Sequence, residues 1–175
     1  MTNEGVFSKL LAPFTHRQTQ ERIAFLTEVP IFRGLSSLQA GKLLTHCTDR
    51  KYEAGETIFE EGDLGKALFV VYAGRVSIYK RAGGDREIVL ATLGSGAYFG
   101  ELALLDTLPR SAGARAAETA ELLILYRTDF DDLVSKRADI GLPVMRGIAQ
   151  TLAGQLRRTN EELAKARNGS GGEKR

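Results

Sequence analysis

The hydrophobic pattern of this chain changes period twice, from helical to strand-like and back. Near the start, Val6, Phe7, Leu10, Leu11 and Phe14 recur at helical spacing, and Pro13 ends or kinks that segment. A second helical stretch covers roughly residues 19–26 and breaks at Pro30. Ser36 or Ser37 then stands where a side-chain oxygen caps a third helix, which the pattern carries to about Cys47. Beyond it the apolar runs shorten. Residues 67–72 form one such run, Arg75, Val76, Ser77 and Ile78 alternate in polarity, and 86–93 and 120–127 read the same way. Gly83-Gly84-Asp85 between two of these runs signals a hairpin. Seven or eight short strands with regular turn residues predict an antiparallel sandwich or barrel.

Helical period returns after the strands. Thr128 with Asp131 three residues on has capping-box spacing, and Lys136 and Arg137 close a short helix where its dipole favours cations. In the last segment Met145, Ala149, Leu152, Leu156, Thr159, Leu163 and Ala166 advance in alternating steps of four and three. That stripe suits either packing on the same domain or pairing with a second copy. Its continuation past the β region favours pairing. Asn168-Gly169 stops the helix, and 169–175 reads as a solvated tail.

Composition narrows the class. The 175 residues suit one domain with appendages, and 24 Lys+Arg against 22 Asp+Glu give a formal net charge of only +2. Charge therefore gives no ground for a nucleic-acid reader, and the seven basic against three acidic residues after position 145 read as a solvated helix face. There is no apolar run of membrane-spanning length and no secretory signal, so a cytoplasmic protein is expected, without a membrane partner. Cys47 is the single cysteine, and the only histidines, His16 and His46, fall on helical segments before the first strand. The strands thus offer no metal-ligating cluster, and no catalytic residue or cofactor is expected. Of 19 glycines, ten fall between Gly55 and Gly113, in the strand-rich part.

One segment within that part carries chemistry. In 99–112, Phe-Gly-Glu-Leu-Ala-Leu-Leu-Asp-Thr-Leu-Pro-Arg-Ser-Ala, Gly100 lets the backbone N–H groups of a short helical turn approach a ligand closely. Pro109 redirects the chain so that Arg110 returns to the same spot with a planar fork of donors for a phosphate, and Ser111 adds a hydroxyl. A carboxylate such as Glu101 is out of place beside a phosphate unless it accepts from hydroxyls next to it, as a sugar phosphate would allow. The alternative is that Glu101 and Arg110 simply pair on a surface loop.

These residues resemble the phosphate-binding cassette of cyclic-nucleotide-binding domains, as found in the catabolite activator protein family and in protein kinase A regulatory subunits. Glu61-Gly62-Asp63 with Gly65, then Leu68-Phe69-Val70-Val71, then Gly74-Arg75-Val76 follow that family's order of turns and strands. Val29-Pro30-Ile31-Phe32 with Leu35, and the final helix, extend the likeness over about residues 29–165. The resemblance implies a mainly β fold, an eight-stranded antiparallel jelly-roll barrel with N-terminal helices and a long C-terminal helix. The chain then divides into an N-terminal helical segment 1–28, a jelly roll 29–137 with its cassette at 99–112, a C-terminal helix 138–168 and the tail.

The resemblance also implies roles. Glu101 would accept from the ribose 2′-hydroxyl and Arg110 would hold the cyclic phosphate. Backbone N–H groups around Leu102, Ala103 and Ala112, with Ser111, would complete the cradle, and Gly100 would permit close approach. In the bacterial branch paired C-terminal helices reach the base, which makes Thr159 and Asn160 candidates for purine contact. Thr159 equally suits a tolerated small residue in the seam. Ser at position 111 favours cAMP over cGMP. Gly113 and Ala114 depart from the family, which usually has a bulkier residue and then Val, and this predicts a more open wall. The expected protein is a stand-alone, non-catalytic sensor without a helix-turn-helix, homodimeric through its C-terminal helix and signalling to a separate protein. A same-fold dimerising scaffold that has lost nucleotide binding is the alternative.

Overall fold

The computed structural model describes residues 16–82 and 86–169. The helical pattern at residues 6–14, the hairpin turn at 83–85 and the tail from 170 lie outside the described residues. Helix α1 spans His16–Glu28, a 3-10 turn follows at Pro30–Phe32, and α2 spans Ser37–Leu44. The strands are β1 (Cys47–Tyr52), β2 (Thr57–Phe59), β3 (Ala67–Ala73), β4 (Val76–Arg81), β5 (Glu87–Leu93), β6 (Tyr98–Phe99), β7 (Gly113–Ala116) and β8 (Ala120–Tyr126). Helices α3 (Arg127–Lys136) and α4 (Ala138–Gly169) complete the order.

The eight antiparallel strands form two four-stranded sheets, β1-β8-β3-β6 and β2-β7-β4-β5, rather than one closed barrel. Each sheet ends on a short strand, β6 with two residues and β2 with three and a register shift, and among the described residues no strand of one sheet pairs with a strand of the other. Alternation along the central strands divides the interior. On β3 and β8, Leu68, Val70, Leu123 and Leu125 face the helices, while Phe69, Val71, Leu122 and Ile124 face the second sheet. Burial on both faces is why 67–72 reads as a nearly continuous apolar run, and why β8, expected to alternate, is apolar without a break over residues 122–125. Edge strand β5 is covered on neither side, and Ile88, Val89 and Leu90 are exposed.

Helix α1 docks on the helix-side face of the first sheet. Its buried Arg22 pairs with Asp49 of β1 and lies 4.3 Å from the centroid of the Tyr72 ring, which Phe25 meets edge-on at 4.9 Å. Residues 16–28 therefore pack on the body, on the far side of that sheet from the inter-sheet core.

Two local expectations are corrected. Ser36 caps α2 through a complete capping box with Gln39, but the helix ends at Leu44 and Cys47 opens β1, so His46 and Cys47 are not helical. The extended, half-buried requirement of pairing Cys47 with Leu125 outweighs the helical pattern there. No Thr128 cap forms either. Helix α3 begins at Arg127 with extended Tyr126 before it, and the Arg127 N–H donates to the Lys66 carbonyl at 2.8 Å, so a neighbouring strand takes the place of a side-chain cap. Helix α4 follows a break at Arg137 and carries Pro143 in its interior. Proline cannot donate to the Asp139 carbonyl, and Gln39 Nε2 supplies that hydrogen bond at 2.7 Å.

The seam of α4 also divides. Ile140, Val144 and Ile148 are fully buried, with Met145 and Leu152 packed beside them. From residue 155 the described side chains are exposed, and Leu156 and Leu163 are 62% and 51% accessible.

Candidate functional site

Strand β6 delivers the cassette. Phe99 pairs with Phe69, Gly100 turns the chain at φ +74°, and a 3-10 turn runs from Glu101 to Leu104. The return is pinned to the β2–β3 loop: Pro109 bridges Leu64, the Arg110 N–H donates to the Asp63 carbonyl at 2.7 Å, and the Gly62 N–H to the Arg110 carbonyl at 2.9 Å. A cavity of about 230 Å³ results, lined by Gly100, Glu101, Leu102, Ala103, Arg110, Ser111 and Ala112, with Phe59, Ile78 and Phe99 behind them.

Arg110 dominates its chemistry. Its guanidinium donates to the carbonyls of Gly100 (3.1 Å) and Ala67 (2.8 Å), and its centre lies 4.2 Å from the Phe59 ring centroid. The Nε–H is buried without an acceptor. Burial lowers the guanidinium's pKa, and the nearby negative charge of Glu101 opposes that shift. No ion pair joins Glu101 to Arg110, and among the described residues Arg110 is paired with no carboxylate. The surface-pair alternative is thereby removed. A partly buried cation satisfied only by carbonyls and ring faces is suited to an anion, because an oxyanion would supply the missing acceptor and neutralise the charge.

Gly100 acts differently from expectation. A Cβ there would lie 2.4 Å from Arg110 Nη1, so the missing side chain makes room for the guanidinium itself, in a left-handed conformation that disfavours other residues. The expected opening beside Gly113 is absent. The Tyr79 ring occupies the space a Gly113 Cβ would take, its hydroxyl donates to Glu60 at 2.9 Å, and Ala114 is fully buried in the inter-sheet core. The bulk stands on β4 instead of β7. Thr159 and Asn160 are exposed on the outer part of α4 and do not line the cavity.

Two residues escaped the sequence reading. Arg127 donates to the carbonyls of Ala103 and Gly65, clamping the cassette turn to the start of α3. Tyr98 packs against the helix-side core; burial raises its pKa, as does the charge of Glu101, while the Thr151 side chain and Arg158 act against that shift. An arginine opening a helix and a tyrosine starting a strand carry no local signal of such contacts.

Among the described residues no group of three or more His, Cys, Asp or Glu could hold a metal, and no helix is long and apolar enough to cross a membrane. Burial and the charges of Asp49 and Asp129 push the Cys47 thiol up to about 12. Native protein at pH 8 should therefore resist iodoacetamide, with alkylation followed by mass spectrometry becoming fast only in denaturant. Rapid native labelling would contradict this environment.

The described geometry is that of a two-sheet jelly roll with a cassette cavity at one end of β6. The family model for the cyclic nucleotide-binding domain matches residues 49–137, and the chain belongs to that family. It is 41% identical over 135 residues to the cyclic AMP receptor protein of Thermus thermophilus, covering 77% of this chain and 60% of that one. It is 35% identical over 133 residues to the cAMP-dependent protein kinase regulatory subunit of Yarrowia lipolytica, covering 76% of this chain and 35% of the relative. The chain thus spans less than two thirds of the first relative and about a third of the second. The crystal structure of the Thermus thermophilus catabolite activator protein superposes with a TM-score of 0.71 at 39% identity, over 78% of this chain and 62% of that one. A cyclic nucleotide-binding domain from Methylobacillus flagellatus shares the fold at TM-score 0.72 and 21% identity, over 86% and 84% of the two chains.

Proposed function

We propose that this chain is a sensor that binds a cyclic nucleotide, cAMP in preference to cGMP, and signals without catalysis through movement of α4 to a separate protein. The observation that carries this reading is the Arg110 guanidinium, partly buried, unpaired with any described carboxylate and facing a cavity that Glu101 also lines. In this reading Arg110 holds the cyclic phosphate together with Ser111 and the N–H groups of Leu102, Ala103 and Ala112. Gly100 seats the arginine, and Glu101 accepts from the ribose 2′-hydroxyl. The preference for cAMP is supported by Ser111 and by relatives whose names specify cAMP. The clamp from Arg127 to the cassette gives filling of the cavity a route to α3, which packs against α4.

Calorimetric titration with cAMP and cGMP tests the reading. Saturable heat is expected for both, stronger for cAMP; no heat for either at high micromolar concentration leaves a dimerising scaffold. Glu101→Gln keeps the shape but weakens acceptance from a hydroxyl, so it should cost about tenfold in affinity for cAMP and much less for its 2′-deoxy analogue. Equal losses for both would remove the ribose role.

We also propose a homodimer through the exposed outer seam of α4, where Leu156 and Leu163 lack apolar cover. Thr159 and Asn160 would then reach the purine only from the paired helices. Leu156→Glu combined with Leu163→Glu should shift sedimentation from dimer to monomer without loss of helicity, because neither side chain belongs to the buried core. An unchanged mass would exclude this seam as the interface.

A further inference from the structure

A second cleft, of about 380 Å³, opens between the Pro30–Phe32 turn and the first turns of α4. Its bed is fixed. Gly34 lies against the Pro143 ring, with room for a Cβ at 3.7 Å, and Gly147 is seated directly on the Ile31 carbonyl. Two arginines, Arg33 and Arg146, line it.

Most arginines on the body have carboxylate partners, as in Arg50–Glu56, Arg75–Glu118, Arg81–Glu60 and Arg115–Glu87. Arg33 and Arg146 have none among the described residues; Arg33 donates only a long 3.4 Å bond to the Glu28 carbonyl. The one acid of the cleft, Asp139, is held bidentate by Arg137 at 3.1 and 3.0 Å, an interaction that also lowers its pKa. Its charge is therefore already engaged. Between the two free cations Leu142 is 58% exposed, flanked by Pro143.

We infer that this cleft docks an acidic segment of a partner protein, with an apolar side chain seated on Leu142 and carboxylates on Arg33 and Arg146. Charge complementarity selects the occupant: two uncompensated guanidinium forks match carboxylates, and arginine pairs of this kind read acidic motifs. The apolar share of the lining selects a peptide over a free anion. A small carboxylate would neutralise the arginines but leave Leu142, Pro30 and Pro143 in water. Because the cleft's two walls are the Pro30–Phe32 turn and α4, any shift of α4 on that turn would change the spacing of the two arginines.

The test uses the full chain and the fluorescein-labelled peptide EELEELEE, read by anisotropy at low salt and by amide chemical shifts. Saturable binding in the micromolar range is expected, with shifts centred on Arg33, Leu142 and Arg146. Arg33→Ala with Arg146→Ala should weaken it at least tenfold, as should replacing the peptide's glutamates by glutamines. Replacing its leucines by serines should weaken it several-fold, and 0.5 M salt should weaken it too. Both arginines are exposed, so the double variant should keep its Tm. The proposal is overturned if the peptide fails to bind at millimolar concentration, if the double variant binds it equally, or if the shifts lie elsewhere. It is equally overturned if the double variant loses self-association in sedimentation, which would make a second copy the occupant. None of these readouts depends on nucleotide binding.

Discussion

Arg110→Ala is expected to lower cyclic-nucleotide affinity by about 30-fold or more, since removing one partner of a buried charged contact costs roughly 2–5 kcal/mol. The fold should survive the change. Burial already works against the guanidinium, as its lowered pKa shows, so removing it relieves a desolvation cost. Against that stands the loss of its charge-assisted bonds to the Gly100 and Ala67 carbonyls, each a contribution of roughly 1.5–3 kcal/mol. The two effects oppose each other, so Tm should move little while affinity collapses. Arg110→Lys separates charge from geometry. It keeps a cation but cannot present a planar fork while bonding two carbonyls, and an intermediate loss is expected. Calorimetry and a thermal melt on both variants decide the matter. Unchanged affinity in Arg110→Ala would show that the phosphate is held elsewhere.

Gly147→Ala should destabilise the protein even though it improves helix propensity. In an exposed helix the exchange would stabilise by about 1 kcal/mol. Here the added Cβ would stand 2.1 Å from the Ile31 carbonyl oxygen and 2.7 Å from its carbon, both backbone atoms that cannot swing aside. Helix α4 must lift from the Pro30–Phe32 turn, disturbing the burial of Ile31, Val144 and Ile148. Overpacking of this kind costs about 1–3 kcal/mol and sometimes more, which outweighs the propensity gain. At about 2–4 °C per kcal/mol for a domain of this size, Tm should fall by roughly 2–8 °C. A rise in Tm would mean that the turn and helix separate freely. Gly154→Ala, where no atom lies within 4 Å of the added Cβ, is the matched control and should be neutral or stabilising.

Legibility followed the range of the interactions involved. Strand alternation, the Ser36 cap and the cassette order are set by residues near in sequence, so a linear reading finds them. Gly100 was legible as a necessary glycine but not for its reason, which is the guanidinium ten residues later. Gly113 misled because the Tyr79 ring filling its space comes from another strand. The end of α2 and the start of α3 were misread because strand pairing and the Lys66 carbonyl, rather than local caps, fix those boundaries.

By itself the sequence determined the fold class, the two helical flanks and the residues 99–112 as the place where an anion would meet a carboxylate, since each rests on short-range periodicity and turn chemistry. Tertiary structure alone decided three things. It left Arg110 unpaired with any described carboxylate, joined the cassette to α3 through Arg127, and kept Thr159 and Asn160 away from the cavity of their own chain. The physical reason is common to all three. Whether a charge or hydroxyl finds a partner depends on groups tens of residues away, and only the packed chain brings those groups within the few ångströms over which a hydrogen bond acts.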